Sequence, residues 1–109
     1  MTSTDKAYLE LHKLIEPQDA EGQLTLGVCT LFGYTGIKRN RRNGFHWIIR
    51  SASQKNPTAF FFLWNCHFRG HGTNVDIHEA IRCSRYAIKN HAVWAKGLTT
   101  KIFLANNFV

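Results

Sequence analysis

The sequence predicts an α+β fold, an antiparallel sheet of about four strands with two helices packed on one of its faces. Two runs rich in β-branched and aromatic residues, Phe45–Ser53 and Thr58–Phe68, flank the turn-forming cluster Gln54–Pro57. An alternating run precedes them, and helical periodicity lies on both sides of the three runs. The predicted order of elements is therefore α-β-β-β-α-β.

The first helix is predicted to begin at Ser3 or Thr4, because either hydroxyl can cap it, and to end before Pro17. Its apolar residues recur at helical spacing: Tyr8, Leu11, Leu14 and Ile15. A first strand, Gln23–Phe32, follows the loop of residues 17–22. Leu24, Leu26, Val28, Thr30 and Phe32 would share one face of that strand.

The loop of residues 33–44 concentrates positive charge. Lys38, Arg39, Arg41 and Arg42 place four cations within five positions, among glycines and asparagines that favour irregular backbone. A basic hairpin tip of this kind suits phosphate contacts, since arginine binds phosphate in bidentate geometry. The alternative is a solvated turn that only aids solubility.

The two central runs form a predicted β-hairpin with two distinct faces. With Lys55 and Asn56 as its loop, Trp47 lies opposite Trp64 and side chains alternate across the pleat. One face is a predicted core beneath the helices, with Trp47, Phe62 and Trp64 buried: Phe45, Trp47, Ile49, Phe60, Phe62, Trp64, Cys66 and Phe68. The other is left open or covered by a second copy of the chain: His46, Ile48, Arg50, Phe61, Leu63, Asn65 and His67.

A second helix is predicted from the capping box Thr73–Asp76 to about Lys96, with Gly97 as its stop. Its outer face carries a basic stripe made of Arg82, Arg85, Lys89 and Lys96. The stripe is either a solvated face or a phosphate-binding one. A last strand, Thr100–Ala105, completes the sheet.

Length and composition bound the classes of protein. A chain of 109 residues makes one compact domain, residues 1–109, and no internal repeat is expected. The formal charge of +7 favours nucleic acid, an anionic surface or an acidic protein as partner. Three cysteines without a CxxC motif predict a reducing, cytoplasmic location, and no apolar run approaches the roughly 20 residues that span a bilayer.

These features predict a small nucleic-acid-binding protein that uses the basic hairpin loop and the basic helix face on RNA or DNA. On the open sheet face, Phe61 would stack a base while His46, Arg50 and His67 hold the backbone. The alternative is a protein-interaction or inhibitor module, homodimeric or bound to an acidic protein. The sequence does not decide between RNA and DNA, or between single and double strands.

The element order over Thr4–Lys96 resembles that of the double-stranded-RNA-binding domain. That family carries a lysine cluster at the start of its last helix, where this chain has the acidic stretch Asn74–Glu79. The resemblance therefore transfers no binding residue to this sequence.

Neither a metal site nor an enzyme is predicted. The five candidate soft ligands match no zinc-finger spacing: Cys66, His67, His71, His78 and Cys83. A histidine nuclease built on the hairpin neighbours His46 and His67 is the minor enzymatic alternative. No acid pair, phosphate loop or nucleophile elbow is present, and no cofactor is expected.

Overall fold

The structure is a computed structural model that describes residues 3–13, 15 and 17–90, and this part of the chain contains helices and no strand. The helices are α1 (Ser3–Lys13), α2 (Ala20–Phe32), α3 (Arg41–Ser53), α4 (Pro57–Arg69) and α5 (Ile77–Lys89). The α+β prediction and its antiparallel sheet are therefore wrong. The predicted last strand, Thr100–Ala105, lies outside the described residues.

Short polar side chains start four of these helices. Asp19, Asn40, Asn56 and Asp76 are the N-caps of α2 to α5, and each side chain accepts a backbone N–H of the first turn at 3.0 to 3.1 Å. Pro57 follows Asn56 at the first helical position, where its missing N–H has no cost. The cluster predicted as a hairpin turn is thus the start of a helix.

The helices α2 and α3 form one hairpin, and α4 and α5 form a second hairpin of the same design. Gly33 and Gly70, 37 positions apart, end α2 and α4 in the left-handed region, at φ of 77° and 74°. Their N–H groups donate to the carbonyl oxygens of Cys29 and Cys66, both at 2.8 Å. The chain therefore contains an internal repeat, contrary to the sequence-based expectation.

The loops that join the two helices of each hairpin are held by equivalent backbone hydrogen bonds. The N–H of Asn40 donates to the carbonyl oxygen of Thr30, and the N–H of Asp76 donates to that of His67, each at 2.8 Å. Asn40 and Asp76 share the same backbone angles, φ −145° and ψ 96°. Positions 30, 40 and 43 of the first repeat thus correspond to 67, 76 and 79 of the second.

The repeats stack, with α3 against α4, around one apolar core. Five consecutive residues of α4, Phe60–Trp64, are each no more than 8% exposed. A helix in contact with neighbours on several sides is apolar around its circumference and loses the one-sided pattern of a surface helix.

The two faces predicted for the hairpin do not exist. Ile48, Phe61 and Leu63, expected on the open face, are buried in the core, so the reason given for a homodimer is removed. Phe62 and Trp64 are buried as predicted, but they belong to the helix α4 and not to a sheet covered by two helices. Trp47 is half-buried instead of buried.

The two predicted helices are present, with changed bounds. The first agrees with α1, which packs on the first repeat through the hydroxyl of Tyr8. This oxygen accepts Nε1–H of Trp47 at 3.0 Å and Nδ2–H of Asn43 at 3.3 Å. The second predicted helix is α5, capped by Asp76 rather than by Thr73, and its predicted end near residue 96 lies beyond the described residues. None of the described helices is long and apolar enough to cross a bilayer.

Candidate interaction surface

The stacking of two equivalent hairpins brings their connecting loops to the same edge of the molecule. An open depression at this edge is lined by Arg41 and Arg42 of the first repeat and by residues of the second repeat's loop: Gly70, Gly72, Thr73 and Asn74. Side chains that are about 30 positions apart in the sequence therefore share one surface.

The pKa of His71 is affected by the positive charge at this edge. Its pKa lies below the ordinary value of 6.5, first because of partial burial and then because Arg41, Arg69 and Arg39 repel the protonated form. Three guanidinium groups from both repeats thus act on one side chain. We call this surface the basic edge and define it by Lys38, Arg39, Arg41, Arg42, Arg69 and His71.

The cations of the basic edge have no acidic partners among the residues that the structure describes. The two ion pairs found there are Lys13 with Glu10 and Arg82 with Glu79, and both lie within single helices elsewhere. The first turn of α3 holds no acidic residue and instead carries Arg41 and Arg42. Cations at a helix N-terminus oppose the positive end of its dipole, so this charge distribution does not serve the helix.

A pocket of about 230 Å³ indents the same region beside α1. It is lined by Tyr8, Thr30, Ile37, Lys38, Arg39, Asn40 and Asn43. The hydroxyl of Tyr8 accepts two hydrogen bonds there, and its own proton is used in neither of them. The pocket adds neutral hydrogen-bonding groups to the charge of the basic edge.

A second concave surface lies between α2 and α4 and is mainly apolar. Its volume is about 470 Å³, and its lining consists of Glu21, Leu24, Thr25, Val28, Cys29, Thr58 and Phe62. This groove contains no cation, in contrast with the basic edge.

The structure brings only some of the predicted binding residues together. The basic edge includes all four cations of the predicted hairpin tip: Lys38, Arg39, Arg41 and Arg42. Lys38 and Arg39 lie in the loop before α3, and Arg41 and Arg42 lie in its first turn, so no hairpin tip exists here. Arg85 and Lys89 are exposed on α5, and Arg82 is paired with Glu79; none of these three lines the depression or the pocket.

The residues predicted for the sheet platform are separated from one another. Phe61 is buried and unavailable for stacking on a base. His46 is exposed on α3, and His67 is half-buried on α4, so the hairpin neighbours of the nuclease alternative do not exist. The guanidinium carbon of Arg50 lies 4.7 Å from the ring centre of Trp47 in a cation–π contact. Lys96 lies outside the described residues.

Sequence reasoning missed Arg69 and His71 as members of the basic edge. The matching pairs Cys29 with Cys66 and Gly33 with Gly70, each 37 positions apart, were the signal that could have revealed the repeat. With the repeat recognised, the end of α4 is expected beside the start of α3.

One group of metal-ligating side chains occurs in the described part of the chain. His67, Glu79 and Cys83 each offer a ligand atom within 4.8 Å of the other two. Its members lie on α4 and α5, inside the second repeat.

Comparison with known proteins identifies the fold. No protein-family model matches the sequence, and no curated protein matches it either. The structure is similar to the crystal structure of a Sel1 repeat protein from Oxalobacter formigenes, with a TM-score of 0.80 and 22% sequence identity. The similarity covers 95% of this chain and 43% of that protein, so this chain spans less than half of its length.

This similarity overturns the predicted nucleic-acid-binding function. That prediction combined a basic hairpin loop and an open sheet face with a basic helix face. The described residues form stacked helical hairpins, so neither the hairpin loop nor the sheet face exists.

Proposed function

We propose that this chain is a protein-interaction module that binds an acidic segment of a partner protein along its basic edge. The observation that carries the proposal is that Arg41 and Arg42 of the first repeat line one depression together with the loop of the second repeat. Arg41, Arg69 and Arg39 also act together on the imidazole of His71, in addition to its partial burial, and lower its pKa. An acidic partner is the kind that complements such a surface.

The chemistry of the basic edge favours carboxylates. Arg39, Arg41 and Arg42 offer planar guanidinium groups that hold a carboxylate through two parallel hydrogen bonds. The positive end of the α3 dipole attracts an anion to the same place. Binding would therefore relieve the unfavourable pairing of two arginines with a helix N-terminus.

The fold supports the same proposal. Stacked helical hairpins present extended surfaces on which equivalent loops line up along one side. Here that side carries the basic edge, and the similarity to a Sel1 repeat protein supports the architecture alone. A cytoplasmic location belongs to the proposal and is supported by the three cysteines, all of which are free.

Fluorescence anisotropy with a labelled peptide of Glu-Ser repeats tests the proposal. We expect the chain to bind this peptide, with an affinity that falls as salt is added. The triple variant Arg39→Ala/Arg41→Ala/Arg42→Ala should weaken binding about tenfold, because three exposed ion pairs of about 0.5 kcal/mol each correspond to roughly that factor.

The matched control removes the same charge from other surfaces. Lys55, Arg85 and Lys89 are exposed and line neither the depression nor the pocket, so their replacement by alanine should leave binding unchanged. If both triple variants weaken peptide binding equally, the effect comes from net charge and the proposal is wrong. Binding of a labelled RNA of equal charge without binding of the peptide would also overturn it.

A further inference from the structure

Three side chains of metal-ligating type join α4 to α5 inside the second repeat. An imidazole nitrogen of His67, a carboxylate oxygen of Glu79 and Sγ of Cys83 all lie within 4.8 Å of one another. Cys83 is fully buried, and the other two are half-buried, so the group lies at the edge of the core. These residues are distinct from those that define the basic edge.

The backbone fixes these side chains in place. Glu79 and Cys83 are one helical turn apart on α5 and therefore share a face. His67 lies in the last turn of α4, and its carbonyl oxygen accepts the N–H of Asp76 at 2.8 Å, which ties the start of α5 to this residue. The imidazole also meets the ring of Phe45 edge-on, with centroids 5.6 Å apart.

In this group, the carboxylate of Glu79 is held by a hydrogen-bonding neighbour, whereas one nitrogen of His67 has no hydrogen-bond partner in the described residues. Arg82 holds the carboxylate of Glu79 through Nε, 3.0 Å from each carboxylate oxygen, and so orients it. Nδ1 of His67 is buried and has no hydrogen-bond partner within the described part of the chain. A buried imidazole nitrogen without a partner is costly unless a ligand satisfies it.

The first repeat provides an internal comparison. The positions that correspond to His67, Glu79 and Cys83 are held there by Thr30, Asn43 and Trp47. The same backbone arrangement thus forms without a single histidine, carboxylate or thiol at these positions. The fold therefore does not require His67, Glu79 and Cys83. These three side chains distinguish the second repeat from the first.

We propose that His67, Glu79 and Cys83 bind a divalent zinc ion that links α4 to α5. Thiolate, imidazole and carboxylate together are a ligand set that zinc accepts, with bonds of about 2.0–2.3 Å and tetrahedral geometry. Such bonds place the ligand atoms about 3.5 Å apart. Sγ of Cys83 already lies 3.8 Å from Oε1 of Glu79, to which its thiol donates, so this pair needs little movement to bind one ion. The thiol of Cys83 releases its proton to solvent on binding, and water completes the four ligands.

Cobalt(II) serves as a spectroscopic probe, since a cobalt–thiolate bond gives a charge-transfer band in the near ultraviolet. The full chain, freed of metal with a chelator, should develop this band at one cobalt per chain and lose it when one equivalent of zinc is added. Zinc should also raise the thermal midpoint of the chain, because the folded form holds the three ligands together and therefore binds zinc more tightly than the unfolded form.

Matched variants identify the ligands. His67→Gln and Cys83→Ser should each abolish the band and the zinc-dependent rise in the midpoint. Two controls should retain both effects: Cys66→Ser, which removes the other buried thiol, and His78→Gln, which removes an exposed histidine of α5. Circular dichroism checks that each variant is folded.

The proposal is overturned if the wild-type chain develops no band, or if folded His67→Gln develops it unchanged. Loss of the band in Cys66→Ser would equally reject the assignment of the thiol ligand. If Cys83→Ser fails to fold, His67→Gln decides the question, because this half-buried side chain can be replaced with less disturbance of the core. These outcomes do not depend on whether the basic edge binds an acidic segment.

Discussion

The three cysteines occupy two kinds of environment. Cys66 and Cys83 are fully buried, whereas Cys29 is half-buried and lines the apolar groove between α2 and α4. Burial raises the pKa of the Cys66 thiol to about 12, with a further contribution from Cys83. The pKa of the Cys83 thiol is also raised to about 12, first by burial and then by the negative charge of Glu79, which disfavours a thiolate beside it. Both thiols therefore stay protonated at neutral pH in the metal-free chain.

Alkylation of the individual cysteines tests the difference in exposure between Cys29 and the two buried thiols. Because the thiolate is the nucleophile and a pKa near 12 leaves almost none of it at pH 8, Cys66 and Cys83 should resist iodoacetamide. Cys29 should be labelled first, as seen by mass spectrometry of the digested chain. Unfolding in urea should make all three thiols reactive. Labelling of Cys66 as fast as Cys29 in the native chain would contradict the burial described above.

At the scale of the helix, close approach decides how α2 and α3 pack. A Cβ atom placed on Gly44 would lie 2.6 Å from the backbone nitrogen of Leu31 and 2.8 Å from the carbonyl oxygen of Gly27. Both neighbours are backbone atoms, which cannot move aside as the end of a flexible side chain can. The absence of a side chain at Gly44 is therefore what allows the two helices to come this close.

The variant Gly44→Ala tests this crossing. Alanine favours a helix over glycine by about 1 kcal/mol, so propensity alone predicts stabilisation. We expect the opposite, a loss of about 2 kcal/mol in the free energy of unfolding, because overpacking costs about 1–3 kcal/mol and the opposing atoms are rigid. Urea unfolding followed by circular dichroism gives the value. A gain in stability would mean that α2 and α3 separate at little cost.

Across the whole molecule, the charge is unbalanced. The chain carries a formal +7, and the cations of the basic edge take part in neither ion pair found in the described residues. Like charges held close together in the folded state repel more than they do in an extended chain. The basic edge therefore lowers stability in the absence of a partner.

Salt should consequently stabilise the folded chain. We expect the midpoint of urea unfolding to rise between low salt and about 0.15 M sodium chloride, where the Debye length is about 8 Å. The variant Arg39→Ala/Arg41→Ala/Arg42→Ala should be more stable at low salt and should respond less to added salt. An unchanged response in this variant would show that the three arginines do not repel one another or their neighbours.

The sequence determines the chemistry of the helix ends and the overall charge. Asn56–Pro57 and Asp76 start helices through their own side chains and backbone, and α1 was predicted from its periodicity because one of its faces meets solvent. The basic character of residues 38–42 likewise follows from residue identity alone. These properties are local, so neighbouring residues suffice to fix them.

The tertiary structure alone decided the conformation of the three central helices. In isolation, a short apolar run such as Phe60–Trp64 satisfies a buried strand and a buried helix equally well, since both hide every side chain. Contact with α3 and α5 on several sides resolves the ambiguity in favour of the helix. The same packing brings Arg41 and Arg69 close enough to act on the imidazole of His71, and it places His67 beside Cys83. Packing between helices, not spacing along the chain, determines which side chains meet.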